Sequence, residues 1–315
     1  MAAIGRTFET TFGVYVVDAV LGEGGAGRVY RVREESGAQY ALKQLHERGV
    51  TTDKRRRFKN EIGFLQNEKH AHIVRVVDHG IYADSGERSP FYVMDLYDES
   101  LRGQIQRGIP HDRVLQMFSQ ILDGVEAAHL KRVVHRDLKP ENVLYQVKND
   151  RLAIADFGVA RFSAEDLLTA VETKPDTRLA NFLYAAPEQR VRGQVVNEAA
   201  DIYALGLILN EMFTRQVPHG TGYQKIADVA ADFSWLDDIV ESMLRQAPTQ
   251  RPASIDALKR EIQFRHEDAV SRQRLSSIDQ TVVRVSDIDD PIVANGLKVV
   301  NLAWEAGTLE LELSC

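Results

Sequence analysis

The stretch VVHRDLKPENVL, Val133 to Leu144, sets His135, Arg136, Asp137, Lys139, Glu141 and Asn142 between two apolar runs. Polar groups carried into an interior cost free energy unless each finds a partner. The segment is therefore either a costly structural network or a reaction centre, and its surroundings must decide which.

Upstream, from Val14 to about Tyr97, the texture is that of strands: VYVVDAVL, RVYRVRE, QYALKQL, IVRVVDHGIY and FYVMDLY. One helical segment interrupts it, with Phe58, Ile62 and Leu65 recurring on a single face. Downstream the texture turns helical. DRVLQMFSQILDGVEAAH gathers Val114, Met117, Phe118, Ile121, Leu122 and Val125 on one side, whereas AADIYALGLILNEMF is apolar nearly all round and predicts a helix buried on every face. The quoted stretch thus lies in an α-rich half that follows a smaller β-rich one. After about residue 264 comes a polar helical extension or linker. TVVRV, IVANGLKVVNLAW and TLELELS then read as two or three strands, with turns at Asn295-Gly296 and Ala306-Gly307. So short a β-rich segment cannot bury a core of its own, so it either docks on the main body or belongs to a larger domain that is truncated here.

Composition narrows the class. The chain has 315 residues, 44% hydrophobic and 27% charged, as in ordinary globular proteins. A net charge of -7 gives no electrostatic footprint for nucleic acid. The only cysteine is Cys315, which excludes an internal disulfide and points to a reducing cytoplasm. No apolar run approaches the length of a membrane span, and the amino terminus has no signal-like core, so the chain reads as soluble.

Gly22, Gly24 and Gly27 have the G-x-G-x-x-G spacing. A dinucleotide turn with that spacing must open a helix. Here RVYRVRE follows, so the glycines join two antiparallel strands, a hairpin whose backbone N–H groups can close over phosphates. Lys43 sits in the next strand between apolar neighbours, and Glu61 in the following helix is a candidate partner. Taken alone, such a lysine also reads as a snorkelling edge residue. HAH, His70 to His72, reads as packing in a tight connection, with no third metal ligand evident.

With GEGGAGRV, YALK, a helical glutamate, HRDLKPEN, DFG and APE in this order, the chain resembles eukaryotic-type (Hanks-type) serine/threonine protein kinases, in a bacterial style, from about Val14 to Phe264. The resemblance implies an α+β, bilobal protein kinase fold: N-lobe 14–94, hinge 95–98, C-lobe 99–264, then the helical extension 265–280 and the β-rich segment 281–315. It implies ATP with Mg²⁺, or Mn²⁺ in its place, and a protein substrate presenting serine or threonine. Asp137 would accept the proton of the attacking hydroxyl and Lys139 would offset charge on the transferring phosphoryl group. Lys43, fixed by Glu61, would reach the α- and β-phosphates, and Asn142 and Asp156 would hold the metal. Leu21, Val29, Ala41, Met94 and Leu144 would line the nucleotide site with the three glycines, Met94 as gatekeeper, and backbone groups around Asp95 and Tyr97 would read the adenine edge. Leu65, His135 and Phe157 would stack as a spine, Asp201 would brace the catalytic loop, and Arg251 would pair with Glu188.

Lys139, two residues after Asp137, follows the serine/threonine pattern. Arg136 implies activation by phosphorylation of the activation segment, with Ser163, Thr169, Thr173 and Thr177 as candidates, the last two preferred, through autophosphorylation in trans and hence self-association. The basic run Lys54 to Lys59 reads as a solvated helix face, or as a second anchor for that phosphate. One departure is plain: ANFLYAAPE puts Asn181 where the family has a threonine, which bears on rate and hydroxyl preference. The other reading is an ATP-binding scaffold without catalysis, signalling through its C-terminal segment. The intact set Lys43, Asp137, Asn142 and Asp156 argues against it.

Overall fold

The computed structural model describes residues 4–24, 27–46, 51–84, 87–157, 183–191, 193–220, 222–282, 293–294, 297–305 and 308–314. The chain divides into two compact units, Met1–Gln263 and Phe264–Cys315.

The first unit opens with a six-stranded antiparallel sheet built from β1 (Thr7–Glu9), β2 (Val14–Gly24), β3 (Gly27–Glu34), β4 (Gln39–Gln44), β5 (Val76–Asp84) and β6 (Glu87–Asp95), in the order β1-β2-β3-β4-β6-β5. Alternation along the strands sorts the side chains onto two faces. Phe8, Tyr15, Val17, Tyr30, Val32, Leu42, Phe91 and Val93 form one buried cluster. Ala41, Tyr92 and Met94 join a second, larger core. Helix α1 (Thr52–Asn67) adds Phe58, Ile62 and Leu65 to that larger core.

The sequence patterning starts the sheet at Val14, yet Thr7–Glu9 pairs ahead of it, Phe8 opposite Tyr15. Burial drives this addition: the Phe8 ring is fully enclosed, 5.0 Å from that of Phe91 and 4.9 Å from that of Tyr82. Arg6 stacks on the Tyr82 ring at 3.7 Å.

The helical part comprises α2 (Leu101–Arg107), α3 (His111–Leu130), α4 (Ala199–Thr214), α5 (Leu236–Met243) and the first turns of α6 (Ile255–Val282). A small sheet of β7 (Glu99–Ser100), β8 (Val143–Gln146) and β9 (Arg151–Ile154) lies among them. The apolar face of α3 is buried as its period requires, and α4 is buried almost all round. Gly124 lets α3 approach the backbone closely, since a Cβ there would lie 2.4 Å from the His72 carbonyl oxygen. His72 itself is structural: its Nδ1 meets the Leu152 carbonyl at 2.8 Å, and its own carbonyl accepts from Ile154 N at 2.9 Å.

In the second unit, β10 (Val293–Ala294), β11 (Leu297–Glu305) and β12 (Thr308–Ser314) form a three-stranded antiparallel sheet. The turns expected at Asn295-Gly296 and Ala306-Gly307 lie outside the described residues.

Candidate active site

The glycine hairpin connects β2 to β3 in register, Gly22 opposite Val29, Glu23 opposite Arg28 and Gly24 opposite Gly27. Glu23 and Arg28 form an ion pair of 2.8 Å across it. Gly27 is required sterically, because a Cβ would fall 2.1 Å from the Gln44 carbonyl oxygen.

From β4, the buried Lys43 donates to Glu61 Oε1 at 3.0 Å and to Asp156 Oδ1. Tyr92 also donates to Glu61 Oε1, at 2.9 Å, so the α1 carboxylate is fixed from two sides. Loss of hydration works against charge on Lys43, but the Asp156 and Glu61 carboxylates outweigh it and hold the ammonium well above the usual lysine range. Burial lifts the Glu61 carboxyl above its ordinary range against the pull of Lys43. At Asp156 the desolvation is overcome by Lys43, and the carboxylate is held below its ordinary range. The lysine is thus one shared cation between the buried Glu61 carboxylate and the partly exposed Asp156 carboxylate.

The polar stretch from His135 to Asn142 forms a braced loop. Asp201, fully buried in α4, accepts from Arg136 N at 2.8 Å through one oxygen. Its other oxygen accepts from His135 N at 2.9 Å and His129 Nε2 at 2.8 Å. Gln189 Nε2 donates to the Arg136 carbonyl at 2.7 Å, and His135 Nε2 donates to the Ala155 carbonyl at 2.9 Å. The bracing holds Arg136 at φ 66° and Asp156 at φ 60°, left-handed conformations uncommon for residues other than glycine.

Between these braces Lys139 Nζ donates to Asp137 Oδ2 at 2.9 Å. Asn142 Nδ2 donates to the Asp137 carbonyl at 2.7 Å and to its Oδ2 at 3.2 Å. Because the Asn142 nitrogen is committed to Asp137, its amide oxygen is the atom left for a ligand. With the ionised Asp156, that makes a hard-oxygen donor set suited to Mg²⁺.

Ala41 and Met94 are paired across β4 and β6 and both buried; Val29 and Leu144 are half-buried, and Leu21 is exposed. Asp95 N donates to the Arg75 carbonyl at 3.3 Å, and Tyr97 is buried with burial pushing its hydroxyl up to about 12. Leu65, His135 and Phe157 are all buried, the last two rings 4.8 Å apart. Arg251 and Glu188 form a two-pronged, buried ion pair at 2.7 and 2.8 Å. Ser163, Thr169, Thr173, Thr177 and Asn181 lie outside the described residues.

One network had no signal in the sequence. Arg102 of α2 donates from Nε to Glu141 Oε1 at 2.7 Å, from Nη2 to Tyr184 OH at 2.6 Å, and from Nη1 to Glu211 Oε1. Tyr184 also donates to Glu211. Four chain segments meet there, so no local spacing could have revealed it.

Comparison with known proteins agrees with this geometry. The family model described as protein kinase domain matches residues 15–262. Serine/threonine-protein kinase A of Synechocystis is 31% identical over 280 residues, covering 79% of this chain and 52% of that protein. Serine/threonine-protein kinase pkn3 of Myxococcus xanthus is 27% identical over 294 residues, covering 82% and 50%. This chain therefore spans about half the length of these curated relatives. A double mutant of the PknI kinase domain from Mycobacterium tuberculosis superposes with a TM-score of 0.65 at 26% identity, covering 84% of this chain and 99% of that one.

Proposed function

The chain belongs to the protein kinase family, and from that premise we propose that it transfers the γ-phosphoryl group of ATP to serine or threonine hydroxyls of proteins. The observation that carries this reading is the convergence of Lys43, Asp137, Lys139, Asn142 and Asp156, with the Lys43–Glu61 ion pair made. Residues 14–264 form the catalytic region of this proposal, with 14–94 and 99–264 as its lobes, 95–98 as the hinge and 265–280 as a helical extension. The segment 281–315 is assigned no part in the chemistry.

Phosphoryl transfer proceeds through a loose transition state, so positioning and charge neutralisation carry most of the catalysis. Asp137 orients the substrate hydroxyl and takes its proton as the oxygen bonds to the γ-phosphorus and the bond to the β-phosphate oxygen breaks, leaving ADP. Lys139, already on Asp137, offsets charge on the group in transit. Lys43 leaves Asp156 for the α- and β-phosphates while Glu61 keeps its place. Asn142 and Asp156 would hold Mg²⁺ or Mn²⁺, which would supply neutralisation of phosphate charge.

Phosphorylation of the activation segment at Thr173 or Thr177, in trans between two copies, belongs to the same reading, and its support is Arg136 ahead of Asp137. A cytoplasmic site of action is also part of it. Among the described residues no helix is long and apolar enough to cross a membrane, and the single cysteine gives no disulfide to maintain.

The test is incubation of the wild type and Asp137→Ala with ATP and Mg²⁺, read by intact mass, phosphosite mapping and phosphorylation of an added peptide. The wild type should gain phosphate on serine or threonine and the variant should gain none. A wild type that binds ATP yet phosphorylates neither itself nor peptides would overturn the reading in favour of a binding scaffold.

A further inference from the structure

Outside the catalytic constellation, one side chain reaches the glycine hairpin from the neighbouring strand. His46 directly follows β4 and Leu45, and its Nε2 lies 2.7 Å from the backbone carbonyl oxygen of Gly24. A carbonyl only accepts, so the imidazole donates and carries a proton on Nε2. We propose that His46 is a positioning residue for nucleotide, tying the glycine hairpin to the end of β4 and so fixing the hairpin over the phosphates. The inference rests on the kinase reading above and deepens it.

Both limbs of the hairpin meet the same short stretch of chain, residues 44–46, one through its backbone and one through the His46 side chain. Gly27, on the β3 limb, is so close to β4 that a Cβ would lie 2.1 Å from Gln44 O and 3.2 Å from Leu45 Cα. Gly24, on the β2 limb, is held by His46. The stretch is itself anchored: Leu45 N donates to Pro90 O at 3.0 Å, and Ser89 Oγ donates to Leu45 O. His46 therefore transmits the position of the sheet to the loop.

The direction of the hold also fits the chemistry. Ala41 of β4 and Leu45 just past its end join the main core, and Lys43 pairs with Glu61 and Asp156. Leu42 joins the other cluster, and Gln44 accepts from Tyr30 OH at 3.4 Å. His46 lies two residues beyond the last residue of β4 and meets Gly24, not the Lys43 ion-pair group. Engaged by His46, the Gly24 carbonyl has a protein donor of its own. An anchored hairpin also has less conformational freedom to lose when nucleotide binds.

The experiment uses the full chain, a fluorescent ADP analogue with Mg²⁺, and the variants His46→Ala and His46→Gln, the glutamine amide being able to donate over a similar reach. His46→Ala should release the analogue about three- to tenfold faster, the range of one hydrogen bond. KM for ATP should rise by a like factor, and kcat should change by less than about twofold. Amide exchange of residues 20–30 should quicken in the nucleotide-free variant, and His46→Gln should restore all three. Release unchanged in His46→Ala while the wild type binds the analogue would overturn the latch and leave the kinase reading standing. So would a glutamine variant as impaired as the alanine one. A wild type that binds no nucleotide would sink the kinase reading and the latch with it.

Discussion

Asp201 shows how one buried carboxylate can fix the backbone at His135 and Arg136, in the loop to which the proposed function gives the chemistry. Its two oxygens serve three donors, two of them the backbone N–H groups of His135 and Arg136. Desolvation opposes its charge, but His129 and these donors prevail and hold the carboxyl below its ordinary range. A depressed folded-state pKa contributes stability that is fully present above the unfolded value, about 3.9, and is lost as pH falls through the folded value. Asp201→Asn keeps the shape but has one acceptor and turns an amide N–H₂ against a backbone donor. Stability at pH 7 should fall by about 1–3 kcal/mol in thermal melts, and kcat/KM by about a hundredfold as the loop shifts. The variant should also lose part of the wild type's destabilisation below about pH 4. Equal acid sensitivity in both proteins would remove the linkage from the account.

At the scale of elements, the amino-terminal strand is the least expected part of the fold and an exposed test of it. Phe8 fills the space between Tyr30, Tyr82 and Phe91. Thr10 Oγ1 and Tyr15 OH donate to Asp78 at 2.5 and 3.0 Å, tying the same region to β5. Phe8→Ala should cost about 3–5 kcal/mol, as other aromatic truncations in cores do. Gly80→Ala should act on the same closure, because its Cβ would meet Phe91 Cζ at 2.7 Å and Thr10 Cγ2 at 3.3 Å; overpacking of this kind costs about 1–3 kcal/mol. Denaturant titration reads both, and a Phe8→Ala protein as stable as the wild type would remove β1 from the sheet. The strand was hidden because three residues carry no period. The polar loop from His135 to Asn142 was legible for the opposite reason: its chemical groups stand side by side in the sequence. Lys43, Glu61 and Asp156 come from distant segments and became legible only through the order of the motifs around them. Arg102, Tyr184 and Glu211 have no such frame, and His46 itself stands outside every motif although the Gly24 carbonyl it meets belongs to one.

At the scale of the whole first unit, the larger core decides how the two lobes respond to damage. It takes in Ala41, Phe58, Leu65 and Met94 from the β-rich lobe and Leu138, Leu205 and Met243 from the helical one without a break. Lobes that share a core should unfold as one cooperative unit. The chain has two tryptophans, so Trp304→Phe leaves Trp235, packed against that core in the helical lobe, as the sole emitter. In that background Phe8→Ala damages only the far lobe. The Trp235 transition should nonetheless move down by about 6–20 °C, at about 2–4 °C per kcal/mol for a domain of this size. Independent lobes would give a different result: Trp235 would melt at its original midpoint while far-UV dichroism showed an earlier loss of the sheet. Cooperative melting would mean that the arrangement of Lys43, Asp156 and Asp137 is lost as a whole when any part of its frame gives way.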